Sequence, residues 1–129
     1  MGFLMVFLGA GIGGVLRQAV SLAAARMLGT GLPYGTFTVN VVGSLIMGFL
    51  TGYISQKSGF PQPLRLLLTT GALGGFTTFS TFSLDTAVLW ERGAPSTAIL
   101  YAVGSVVISL IAVFAGLAIS RALFLTAQA

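Results

Sequence analysis

The chain has 129 residues, of which 56% are hydrophobic and 6% charged. A soluble domain carries about 25% charged residues, so this composition excludes an ordinary soluble domain, and its apolar content excludes a disordered chain. The net charge of +4 comes from scattered single cations, without the basic stripe of a nucleic-acid-binding protein. Cys and His are absent, which excludes disulfides, thiolate chemistry and His-based hydrolysis, and leaves a transition-metal site without its usual ligands. The inventory argues against an enzyme.

Residues 1–16, 27–56, 66–84 and 93–120 carry no charged side chain, giving runs of 16, 30, 19 and 28 residues. A transmembrane helix needs about 20 mostly apolar residues. The pattern predicts an all-α membrane protein, a single domain over 1–129 with spans at about 2–28, 34–55, 64–90 and 96–123. Span 1 reads as a mature span and not as a signal peptide, since no cation precedes it and its apolar character runs on past Arg17. Gly9, Gly11, Gly13 and Gly14 within it, and Gly43, Gly48 and Gly52 along span 2, are a close-packing pattern for helices in lipid. Gly29-Thr30-Gly31-Leu32-Pro33 and the stretch from Gln56 to Pro63 read as loops.

Span 3 is the unusual one. Its centre reads Gly74-Gly75-Phe76-Thr77-Thr78-Phe79-Ser80-Thr81-Phe82-Ser83, two adjacent glycines followed by five hydroxyl residues in seven. That composition makes a poor continuous helix. Non-helical backbone at membrane depth is tolerated only where it is buried in protein or lines a cavity. A broken third helix is therefore expected. Glu91-Arg92-Gly93-Ala94-Pro95 closes the third loop, and span 4 ends near Arg121. Tyr53 and Trp90 read as interfacial anchors, and the tail 125–129 as a frayed end.

Four spans put both termini on one side, with Lys57, Arg65 and Arg121 there and Arg26 and Arg92 opposite. The three-to-two count gives almost no positive-inside bias. Either something else fixes the orientation, or the protein inserts both ways and forms an antiparallel homodimer. A four-helix subunit has little room for an internal pathway, so transport would call for an oligomer.

Arg17 stands inside an apolar helix, where ionisable groups usually serve function; the plain alternative is snorkelling to the interface. Asn40, the only asparagine, offers amide donors in span 2 or an ordinary interhelical hydrogen bond. Phe79 and Phe82 share one helical face and could present positive ring edges to an anion, or simply pack. Tyr101, Ser105 and Ser109 recur every four residues as a polar stripe on span 4, or bond back to their own helix. Asp85 reads as a partner for a nearby Arg or as a proton-coupling acid. This inventory of donors, one intramembrane Arg and ring edges favours an anion; the acidic rings of cation channels are missing.

The span 3 segment, together with Arg17 after a Gly-rich run and Asn40 in a Thr-Val-Asn context, resembles the Fluc fluoride-channel family, also called CrcB. The resemblance covers essentially the whole chain. It implies a dual-topology antiparallel homodimer of four-helix subunits in a bacterial inner membrane, conducting fluoride passively through two pores at the dimer interface. It implies pore roles for Asn40, Phe79, Phe82, Ser80, Thr81, Tyr101, Ser105 and Ser109, and places Arg17 near an aqueous vestibule. It also implies a structural Na⁺ at the dimer centre, held by the backbone carbonyls of Gly74 and Thr77 from both subunits.

Two other readings compete. A small multidrug-type exporter needs a carboxylate deep in span 1, where this chain has Arg17 and no acid. An accessory membrane subunit explains the small size and the glycines, but not a Gly-Gly break followed by hydroxyls.

Overall fold

The computed structural model describes residues 1–125. The expected frayed tail lies, apart from Leu125, outside the described residues. Among the described residues every regular element is helical: α1 (Gly2–Leu28), α2 (Tyr34–Ser55), α3 (Gln62–Leu66), a π-helical stretch (Leu67–Leu73), α4 (Gly74–Phe76), α5 (Ser80–Glu91) and α6 (Pro95–Leu125). Three helices are long and apolar enough to cross a membrane: α1, α2 and α6, with 27, 22 and 31 residues. At 1.5 Å per residue even α2 is about 33 Å long, which matches a hydrocarbon core of about 30 Å.

The turns follow local chemistry. Gly29 ends α1 with φ 83, a left-handed conformation that costs a residue with a Cβ more than it costs glycine. Pro33 stands immediately before α2, where its missing N–H and fixed φ do no harm. Gly93, at φ 82, turns the chain between α5 and α6.

Packing relies on missing side chains. A Cβ on Gly13 would meet the carbonyl oxygen of Ala72 and stand 2.8 Å from the Phe76 nitrogen. One on Gly9 would meet the Leu67 carbonyl, and one on Gly75 would be 2.6 Å from the Ala10 carbonyl. Backbone thus lies on backbone between α1 and the π-helical and α4 segments. The same device joins α2 to α6, where a Cβ on Gly48 would meet the Val113 carbonyl and one on Gly116 the Leu45 carbonyl.

Among the described residues the buried core is small, with Val39, Leu73, Leu89, Ala98 and Ala112 as its apolar members. Large apolar side chains point outwards instead, Phe7, Leu100 and Phe114 being 73%, 74% and 66% exposed. Contiguous exposed apolar surface on this scale belongs against lipid or a partner.

Between α4 and α5 the helical path stops. Thr77 is extended at φ −83, ψ 161, and Phe79 stands at the N-terminus of α5. This interruption positions the site described next.

Candidate functional site

The interruption is held by α2. Asn40 Nδ2 donates to the Thr78 carbonyl at 2.9 Å, and the Thr78 N–H donates to Asn40 Oδ1 at 2.8 Å. One amide side chain therefore satisfies both main-chain groups of Thr78, which a broken helix would leave unpaired. Gly43 is one turn further along the same face of α2. A Cβ there would collide with the Thr77 methyl, so its absence lets the break approach α2.

Thr78 is the hub. Its Oγ1 accepts from the Thr81 N–H at 3.2 Å and lies 3.4 Å from the Ser80 hydroxyl. The first bond satisfies one of the unpaired amides in the first turn of α5. Arg17 reaches across from α1, its Nη1 donating to the Thr77 carbonyl at 3.4 Å. Asn40, Arg17, Thr77, Thr78, Ser80 and Thr81 thus form one connected cluster.

Cavities lie on both sides of the cluster. On one side lies a space of about 200 Å³ lined by Arg17, Gln18, Ser21, Thr36, Val39, Thr78 and Thr81. Ser21 and Thr36 also line a larger cavity of about 280 Å³, which reaches Asp85 and Arg92 near the α1–α2 loop. On the other side is a groove of about 400 Å³, whose walls include Asn40, Thr78, Phe79, Phe82, Ser105 and Ser109. Thr78 borders both sides.

The groove combines ring edges with hydroxyls. Phe79 and Phe82 have ring centroids 5.6 Å apart, and Phe82 lies 5.5 Å from the Tyr101 ring. Phe79 is 77% exposed in a single chain, open on its outer side to lipid or to a partner. Tyr101 does not line the groove; its hydroxyl donates to Asp85 Oδ2 at 3.2 Å. Asp85 thus has a tyrosine partner on α6.

Ser105 answers the question of back-bonding. Thr38, Thr69, Thr77, Ser83 and Thr86 all donate to the carbonyl four residues earlier. The Ser105 hydroxyl is buried and makes no hydrogen bond. Ser105 lines the groove, and its unpaired hydroxyl keeps a donor to give.

Gly74 opens the short α4 and Thr77 follows its last residue. The Thr78 N–H, which a continuous helix would give to the Gly74 carbonyl, goes to Asn40 instead. The Gly74 carbonyl is thereby released from its helical partner at the negative end of a helix. No group of three or more acidic, His or Cys ligands occurs among the described residues. A cation here would be held by neutral carbonyl oxygens, a donor set that fits a hard monovalent ion.

Sequence reasoning missed two residues. Thr78 is one of five hydroxyl residues close together, and what sets it apart is the pairing of its main chain with Asn40, which no side-chain pattern reveals. Thr36 is buried on α2 and lines both cavities on the Arg17 side; its place one turn before Asn40 was the available signal.

Residues 4–117 match the family described as CrcB-like protein, Camphor Resistance (CrcB). The chain belongs to the CrcB family. Similar CrcB relatives share about half their residues with it over nearly their whole length. A protein of Nitrobacter hamburgensis named "Fluoride-specific ion channel FluC 2" is 52% identical over 121 residues, covering 94% of this chain and 98% of the relative. "Fluoride-specific ion channel FluC" of Rhodopseudomonas palustris is 53% identical, covering 95% and 99%. The protein of that name from Methylobacterium nodulans is 57% identical, covering 92% and 94%. With its three apolar helices, this CrcB chain is a membrane protein.

Proposed function

We propose that this protein is a fluoride-selective passive channel, and so a transporter of ions and not an enzyme. The observation that carries this reading is the groove in which Asn40, the Phe79–Phe82 pair and the unpaired Ser105 hydroxyl converge beside the interrupted helix. The names of the relatives point the same way. Fluoride is small and strongly hydrated, so permeation requires close donors in place of its water shell. One amide hydrogen of Asn40 remains after its bond to Thr78, and Ser105, Ser109 and the positive ring edges supply the rest. The N-terminus of α5 opens at the same place, and its dipole favours an anion. Sites of this kind bind weakly enough to release the ion, which conduction requires.

In the reading we favour, the pieces from α3 to α5 form a fourth, broken span. Two subunits then assemble antiparallel in a bacterial inner membrane, and each groove becomes a pore when the partner covers its open side. The 77% exposure of Phe79 supports such a partner. Arg17 lies at the inner end of the vestibule formed by the two cavities on its side; Thr81 lines the same space, Ser80 supports the Thr78 hydroxyl, and Tyr101 acts from behind the wall by holding Asp85. The released Gly74 carbonyl and that of Thr77, doubled by the second subunit, would hold a structural Na⁺, which would tie the two breaks together. Fluoride that enters a cell as uncharged HF would leave through such a pore as the anion, driven by about 2.3 kcal/mol per 100 mV of negative-inside potential.

Proteoliposomes loaded with KF test this directly. Valinomycin should start rapid fluoride efflux, and liposomes loaded with KCl should retain chloride. Equal release of both ions, or of neither from folded protein, would refute a fluoride-selective channel.

A further inference from the structure

A second polar cleft lies away from the groove and shares no residue with it. It holds about 430 Å³ between the end of α2 and the α3 region, and Lys57 and Arg65 both line it. Neither of the chain's two acids, Asp85 and Glu91, does so. The Ser55 and Thr69 hydroxyls in its wall donate to the Gly52 and Arg65 carbonyls. The side-chain donors left for a ligand are Lys57, Arg65, the Gln62 amide and the Thr51 hydroxyl.

We propose that this cleft binds the phosphodiester headgroup of an anionic lipid. Its position fits, because a helix about 33 Å long that spans the hydrocarbon core ends at headgroup depth. Its chemistry fits as well. Arg65 offers a planar fork matched to phosphate oxygens. Lys57 Nζ lies 5.3 Å from the centroid of the Tyr53 ring, a cation–π contact that restrains the ammonium near the cleft. Ile54 and Phe60 give the wall an apolar side, suited to the glycerol and the start of the acyl chains. A cleft this wide does not strip a small anion of its water, so a permeant halide is a poorer occupant. The inference depends on the spans lying in a bilayer and not on which ion permeates.

The test uses the purified full-length protein in neutral detergent. Native mass spectrometry would measure binding of dioleoylphosphatidylglycerol, with dioleoylphosphatidylcholine and soluble glycerol 3-phosphate as comparison ligands. The wild type should bind the phosphatidylglycerol in preference to both. The Lys57→Gln/Arg65→Gln double variant should weaken that binding about thirtyfold, the combined effect of two interfacial cations. Both side chains are exposed, so the lipid-free unfolding temperature of the variant should equal that of the wild type. Arg121→Gln provides the control. Its neighbour Ser120 packs against Gly52 on α2, so Arg121 lies near the same end of the bundle but outside the cleft, and its loss should leave binding unchanged. Undiminished binding in the double variant would overturn the proposal. An equal loss in Arg121→Gln would replace the site with diffuse surface charge. Equal binding of phosphatidylcholine, or of glycerol 3-phosphate, would remove the anionic lipid as its ligand.

Discussion

Replacing Asn40 with Ala removes both bonds that fix Thr78, at 2.9 and 2.8 Å. Thr78 is 8% exposed, so its N–H and carbonyl would lose their partners with little access to bulk water. Each buried group left unsatisfied costs about 1–3 kcal/mol. Polar contacts between helices in membranes average only about 0.6 kcal/mol, because alternative partners form. Water in the adjoining groove gives such a partner on one side, so the expected loss is about 2 kcal/mol. For a chain of this size that lowers the unfolding midpoint by roughly 5–10 °C. Trp90 is the only tryptophan, and its fluorescence in detergent would follow the transition. Thr38→Ala is the control on the same helix. It removes only a bond to the Tyr34 carbonyl of its own helix and should cost no more than about 0.5 kcal/mol. Fluoride efflux through the Asn40→Ala variant should fall at least about tenfold, since the break and its hydroxyls lose their position. Asn40→Asp keeps the acceptor for the Thr78 N–H but turns an acceptor towards the Thr78 carbonyl, and should also block conduction. An Asn40→Ala protein that unfolds with the wild type and conducts at its rate would refute this account of the break.

Three further outcomes follow from the packing and the groove. Gly13→Ala should lower the unfolding midpoint by several degrees, because its Cβ would meet the backbone of Ala72 and Phe76, whereas Gly14→Ala has nothing within 4 Å and should be tolerated; equal midpoints would refute the backbone contact. Phe79→Ile and Phe82→Ile should each slow fluoride efflux strongly, and Phe79→Ile should do so with stability unchanged within about 0.5 kcal/mol, since that ring lies mostly outside its own subunit; undiminished efflux in both would remove the rings from the pathway. Tyr101→Phe deletes the bond to Asp85 and keeps the ring beside Phe82, which should cost about 1 kcal/mol by thermal unfolding and slow efflux several-fold.

The helical class and the membrane setting were legible because charge is so sparse. α2 lies wholly within the uncharged run 27–56, and almost all of α6 within 93–120. Pro33 and the Gln56–Pro63 segment mark the ends of α2 plainly. The stretch 62–91 was harder. Gly74-Gly75 and the hydroxyls that follow signal trouble for a helix, but the π-helical turn at Leu67–Leu73, with Thr69, Thr70 and Gly71 in it, has a composition that an ordinary membrane helix also tolerates. Residue types alone also left both uses of Asn40 open; the structure shows the interhelical bond, made to the broken backbone itself. Arg17 could be singled out as an intramembrane charge, yet its partner is a carbonyl 60 residues away, which no local pattern encodes. The hydroxyls separate in the same way. Six of them, Ser55 included, return to the chain three or four residues earlier, while Ser105 and Ser120 do not, and the residue types are the same in both groups.

The central claim is that fluoride crosses passively and chloride does not. Protein in a planar bilayer, with a tenfold gradient of KF and symmetrical KCl, puts that claim to a single reading. The account predicts a current without any proton gradient and a reversal potential near the fluoride equilibrium value, about 59 mV from zero. A reversal potential near zero, or a current that appears only when a proton gradient is imposed, would contradict it.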